Sequence, residues 1–190
     1  KPMPLWGATD SDESKPKFLT DEQKKLVYAT KSGWVLENGA LTGNDNANAD
    51  PEILVAIGEL ATSIGSADIT EIEFITTAFD VSAGGAISVR VRFNEEVDVT
   101  GTPQLTVVND SRANHTLSYA SGTGSNELVF SLTIAAGGGG VIAEDDILSI
   151  GANATALNSG TIKDKGTSTV STITNVASIG TAAGTITVVA

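Results

Sequence analysis

The chain has 190 residues, 41% of them hydrophobic but only 5% aromatic, with one histidine, no cysteine and a formal net charge of −12. That composition excludes disulfides and thiolate metal sites. It also argues against a sequence-independent grip on nucleic acid or on an anionic membrane, since both need a Lys/Arg footprint.

Residues 1–17 read as an extended arm. Pro2, Pro4 and Pro16 block helix there, and the stretch from Thr9 to Ser14 is polar and acidic. Trp6 is the exception, a large aromatic in a segment with nothing nearby to bury it. No apolar run of signal-peptide type follows Lys1, and a chain opening on Lys1 is expected to have lost at least an initiator Met upstream. Thr20-Asp-Glu-Gln23 is a capping-box pattern and predicts a helix of about ten residues, with Gly33 as its stop. Leu19, Leu26, Val27 and Tyr28 would supply its apolar face. Trp34 to Leu36 reads as a short strand, and 39–50 as a loop.

From Glu52 the grammar becomes that of strands. Glu52 to Leu60 is β-branched and carries Gly58, which favours strand over helix. Ile69 to Thr77 follows. Ile87, Val89, Val91 and Phe93 then alternate with Ser88, Arg90, Arg92 and Asn94, the period-two signature of one buried and one wet face. After a turn with Gly101 and Pro103 come Leu105 to Val108, Thr116 to Ala120, and Glu127 to Ile134, the last alternating again. Gly137 to Gly140 reads as a hairpin turn. Asp146 to Ile150, Thr161 to Lys163 and Thr185 to Val189 complete seven to nine strands. The expected fold is mainly β: an antiparallel β-sandwich over 51–190, preceded over 1–50 by the arm, one short helix and a loop.

Charge divides unevenly along this plan. Residues 1–50 carry 8 acidic and 6 basic side chains, and residues 51–190 carry 15 and 5. The sandwich is therefore the acidic part, which serves solubility first.

Chemistry is sparse. His115 has no G-x-S-x-G elbow to serve and reads as a surface histidine. Asn46, Asn48 and Asp50, and Glu144 to Asp146, have oxygen ligands at calcium-like spacing but lack the glycine and distal glutamate of an EF-hand, so they read as solvated loops. The pairs Glu95-Glu96 and Asp145-Asp146 place neighbours on opposite strand faces and cannot act as a glycosidase couple. The N-x-[ST] sequons at Asn109, Asn114 and Asn153 are expected by chance in a chain this rich in Asn and Thr. No catalytic residue, cofactor or metal is expected. Trp6, Tyr28 and Trp34 either form a local core with the helix or anchor an interface, as Trp and Tyr often do. The interface reading adds Lys15, Pro16 and Lys17.

Two stretches resemble known families. Val97-Asp-Val-Thr-Gly-Thr-Pro-Gln-Leu-Thr-Val107, Leu117-Ser-Tyr-Ala-Ser-Gly-Thr-Gly-Ser-Asn-Glu-Leu-Val-Phe130 and Asn158-Ser-Gly-Thr-Ile-Lys-Asp164 resemble bacterial Ig-like repeats, found in surface adhesins and phage virion proteins. Asp12-Glu-Ser-Lys-Pro-Lys-Phe-Leu-Thr-Asp-Glu-Gln-Lys-Lys-Leu-Val-Tyr-Ala-Thr-Lys-Ser-Gly-Trp34 resembles the N-terminal segment of small structural proteins of T4-like tailed phages of marine bacteria, with Gln23 in place of Glu. The resemblance implies a virion protein on the capsid exterior, anchored to a major capsid protein or other virion subunits and homo-oligomeric in the particle. The acidic balance adds the expectation of no nucleic-acid and no membrane partner. A neck or tail component, and an adhesion module on a bacterial cell surface, are the alternatives.

Overall fold

The computed structural model describes residues 15–38, 40 and 50–190. Strand takes 46% and helix 10%, so the chain is mainly β, and its strands form one mixed 13-stranded sheet that wraps as a β-sandwich.

The chain first builds a small lobe. Helix α1 spans Asp21–Lys25 and carries the expected box: Thr20 Oγ1 accepts from Gln23 N at 3.2 Å, and Gln23 Oε1 accepts from Thr20 N at 3.0 Å. It is half the expected length. Val27, Tyr28 and Thr30 are β-branched or aromatic, and tertiary pairing draws them into strand β1 (Val27–Thr30) instead of a third helical turn. A tight hairpin leads to β2 (Gly33–Leu36), which pairs with β3 (Glu52–Ala56), and α2 (Leu60–Ser63) closes the lobe. The expected strand from Glu52 to Leu60 thus ends at Ala56, and a turn through Gly58 and Glu59 leads into α2 at Leu60. Gly33 is no helix stop. It sits in the hairpin at φ +137°, where a Cβ would lie 2.0 Å from the Val55 carbonyl oxygen, so only glycine lets β3 approach. Leu19, Val27, Ala29, Trp34, Leu36, Leu60 and Ile64 form the lobe's own core. This packing places residues of 52–64 with the N-terminal segment, and the two core clusters divide between Ile64 and Ala67.

The sandwich follows: β4 (Ile69–Phe74), β5 (Phe79–Asp80), β6 (Gly85–Thr100), β7 (Gln104–Asn109), β8 (His115–Ser121) and β9 (Ser125–Ile134) come first. Then come β10 (Ile147–Ser149), β11 (Thr155–Ala156), β12 (Thr161–Asp164), helix α3 (Ala177–Ala182) and β13 (Ile186–Val189). The 16-residue β6 is the spine. Its first half pairs with β4 and β9, its second half with β12, and it touches β1 in parallel at Ala29↔Glu95. From β9 the sheet continues through β8, β7, β10 and β13 to β5. The β1–β6 and β13–β5 pairs are parallel, so the ladder is not antiparallel throughout.

Ile87, Val89, Val91 and Phe93 are buried together with Leu128 and Phe130, as the alternation demands. The wet face fails at one place. Every residue from Val91 to Glu95 is buried, because the lobe lies over the outer side of β6 there. The segment Gly137 to Gly140 is not a hairpin turn. It holds a short 3₁₀ turn, and β9 before it pairs with β6 and β8 while β10 after it pairs with β7 and β13. Helix α3 was not signalled, since its Ser, Gly and Thr are poor helix formers and no side chain caps it.

The sandwich motifs have local physical roles. Tyr119 Oη accepts from Thr123 N at 2.8 Å and holds the 121–125 turn. Gly101 and Gly160 meet so closely that a Cβ on Gly101 would lie 2.8 Å from Gly160 Cα. Asp164 is buried, accepting from Ala67 N at 2.9 Å and Ser171 Oγ at 3.0 Å, and so ties β12 to the segment joining the two cores.

Candidate interface and lobe junction

Of the six residues expected at an interface, Trp6 lies outside the described residues. The other five separate by role. Trp34 is only 1% exposed and belongs to the lobe core, whereas Tyr28 is buried on the other face of β1 from Val27 and Ala29, outside that core. Lys15 and Pro16 are also buried. Lys15 Nζ donates to Lys24 O at 2.8 Å, satisfying a carbonyl at the end of α1. Lys17 alone is exposed, and beside it stands Phe18, 69% exposed, which the sequence reading passed over. An aromatic next to the capping box reads as core by default, and only the chain's path shows that it points out.

The lobe is held to the sandwich by an ionic cluster centred on Arg92, which is 6% exposed. Its Nη1 reaches Glu71 and, at 3.1 Å, Glu73 Oε1 on β4. Its Nε lies 2.7 Å from Glu127 Oε1 on β9 and 3.4 Å from Glu37 Oε1, which follows β2. Arg90 bridges Glu73 and Glu127 at 3.2 and 3.1 Å, and Lys25 of α1 reaches Glu71 at 3.6 Å. Asn126 Nδ2 donates to Glu37 Oε1 at 2.7 Å. Burial pushes the Glu37 carboxyl up to about 7, against the Asn126 hydrogen bond and the Arg92 charge, while nearby Glu127 pushes the same way as burial. Burial, with the charges of Glu96, Glu37 and Glu127, pushes the Tyr28 hydroxyl up to about 12. Burial works against the charge of Arg92, yet Glu37, Glu71, Glu127 and Glu73 hold it above its ordinary value. Arg92 was expected on a solvated strand face; a distant segment folds over it.

His115 is not a surface residue. It is 5% exposed, and its Nε2 faces the Asn109 Nδ2 amide at 3.3 Å. Asp146, expected in a solvated loop, is buried too. It accepts from Asn109 Nδ2 at 2.9 Å and Ala143 N at 3.0 Å, and Arg112 Nε lies 3.1 Å away. Burial opposes the Asp146 charge, but those three groups hold its carboxyl below the usual range. Burial lowers His115 despite the Asp146 charge. The cluster joins β7, β8 and the start of β10, and its imidazole meets an amide, not a hydroxyl nucleophile. Glu144 and Asp145 are exposed; of the other acidic loop, Asn46 and Asn48 lie outside the described residues and Asp50 is exposed. Among the described residues, no three His, Asp or Glu side chains gather as a metal site. No helix among them is long and apolar enough to cross a membrane.

No protein-family model, curated protein or solved structure matches the chain.

Proposed function

We propose that this chain is a non-enzymatic structural protein of a virion, a decoration or cement protein on the capsid exterior. In this reading it attaches through its N-terminal segment to a major capsid protein or a neighbouring subunit, and displays the acidic sandwich outward. One observation carries the reading: residues 15–36, which bear the phage-protein resemblance, belong to a lobe with its own core, clamped to the sandwich and presenting Phe18 and Lys17 to solvent. A lobe that is separate, near-neutral and aromatic at its surface suits a binding foot better than the acidic sandwich does.

The test is co-sedimentation of the chain with shells of the parent particle, followed by cryo-electron microscopy. Density on the shell exterior is the expected result. Phe18→Ala should weaken attachment by roughly tenfold to a hundredfold, the equivalent of burying one Phe. Deleting residues 1–17 should abolish attachment while the sandwich stays folded. Normal occupancy of the truncated chain overturns the reading.

A further inference from the structure

We propose that β3 is a self-association edge, where two copies of this chain join their sheets antiparallel about a two-fold axis. A sheet edge is a template for another strand unless it is short, charged or covered. This chain covers or shortens its other edges. β5 and β11 have two residues each. The outer side of β4 is met by the Asp68↔Thr172 bridge and by α3. The outer side of β12 is met by the return through Val170 and Ser171, whose N–H donates to Ile162 O at 3.1 Å. β3 is different. It is five residues long, reads Glu-Ile-Leu-Val-Ala, and has β2 on one side and no strand on the other among the described residues.

The backbone of β3 is oriented for pairing. Ile57 N donates to Ser32 O at 3.0 Å and Glu59 N to Lys31 O at 2.8 Å, both toward the β1–β2 hairpin. Strand alternation then turns the N–H and C=O of Ala56 outward. Ile53 is 53% exposed and Ala56 is exposed, so the edge is apolar and, among the described residues, open.

Charge makes this lobe, and not the sandwich, the place where a second copy meets the least repulsion. Residues 65–190 carry 13 acidic and 5 basic side chains, so two sandwiches repel, whereas residues 15–64 carry 7 and 5. The near-neutral lobe is where two copies can meet. Antiparallel pairing places the two Glu52 carboxylates at opposite ends of the joined ladder, while parallel pairing would set them side by side. A two-fold closes after two copies and leaves no edge to propagate. The inference concerns the isolated chain and does not depend on the virion reading.

Sedimentation equilibrium on the full chain should show reversible association to twice the 19.3 kDa chain mass. Ala56→Pro removes the outward donor from both copies yet spares the Ile57–Ser32 bond, and should weaken the dimer by roughly thirtyfold. Ile53→Lys should weaken it by at least about tenfold. Both variants should keep the wild-type circular dichroism. If either unfolds, the wild-type chain still decides: exchange of the Ala56 amide should slow as protein concentration rises. A monomer at every concentration, a dimer that both folded variants leave intact, or an Ala56 amide indifferent to concentration overturns the proposal. So does protection of that amide only when a different protein is added, which would give the edge to a foreign strand.

Discussion

The lobe and the sandwich are built from the same kinds of residue and held together differently. Among the described residues the sandwich gathers 23 buried apolar side chains into one cluster, and the lobe gathers seven. Among the described residues Trp34 Nε1 is buried in the lobe with no hydrogen-bond partner, as is Thr155 Oγ1 in the sandwich. An unpaired buried donor costs roughly 1–3 kcal/mol. A core so small, with such a cost inside it, depends on its dock against β6. The sandwich, with the larger core, depends on that contact less. The lesson is that the smaller core leans on the larger one.

Truncating each core separates the two. Phe130→Ala should destabilise the whole sandwich by about 3–5 kcal/mol, seen as one cooperative shift in urea. Trp34→Ala should cost a similar amount but only in the lobe, leaving the main transition in place while lobe amides lose exchange protection. Trp34→Phe should cost far less than Trp34→Ala, because the lost N–H was unpaired. If Trp34→Ala shifts the main transition as much as Phe130→Ala does, the two regions are one cooperative unit and the contrast fails.

The junction gives a smaller and more specific effect. Arg92→Met leaves Glu37, Glu71, Glu73 and Glu127 facing one another with only Arg90 and Lys25 against them. Removing one partner of a fully buried pair costs about 3–5 kcal/mol, but these carboxylates are partly wet, so about 2 kcal/mol is expected. Faster trypsin cleavage in the lobe than in the sandwich would show it. The smallest effect is pH dependence. Glu37 is held protonated to about pH 7 in the docked state, above the ordinary range of a glutamate. Its contribution is therefore full at low pH and is lost as pH rises through about 7. Lobe exchange protection should fall between pH 5 and 8, and Glu37→Gln should flatten that slope. A slope of opposite sign would mean that Arg92 outweighs burial.

How far the sequence could be read follows the same division. The alternation at Ile87–Phe93 and at Leu128–Phe130 is local, and it identified core residues of the sandwich directly. The Thr20 box is also local and was legible to the residue. Arg92 was not, because its burial is decided by Glu37, 55 positions away in the chain. Tyr28 was assigned to a helix for the same reason: hairpin pairing with Val35 overrides the capping signal that precedes it. His115 and Asp146 lie 31 positions apart and are brought together through Asn109, a residue whose type announces nothing. Exposure of the aromatics was the least legible, since the sequence alone does not tell that Trp34 is buried and Phe18 exposed.

The long β6 strand also sets a timescale. Its partners arrive from both directions along the chain: Ala29 far upstream, β4 just before it, β9 after two intervening strands, and β12 last, with Asp164 opposite Val97. Little of its ladder can form from neighbouring residues alone. Loop closure must therefore precede most of the stabilising contacts, which places refolding in the millisecond-to-second regime of β-sandwiches, not the microseconds of helical bundles. A submillisecond stopped-flow phase that recovers all native signal would contradict this. The strand that joins the two regions in space is the one that the nascent chain must wait longest to complete.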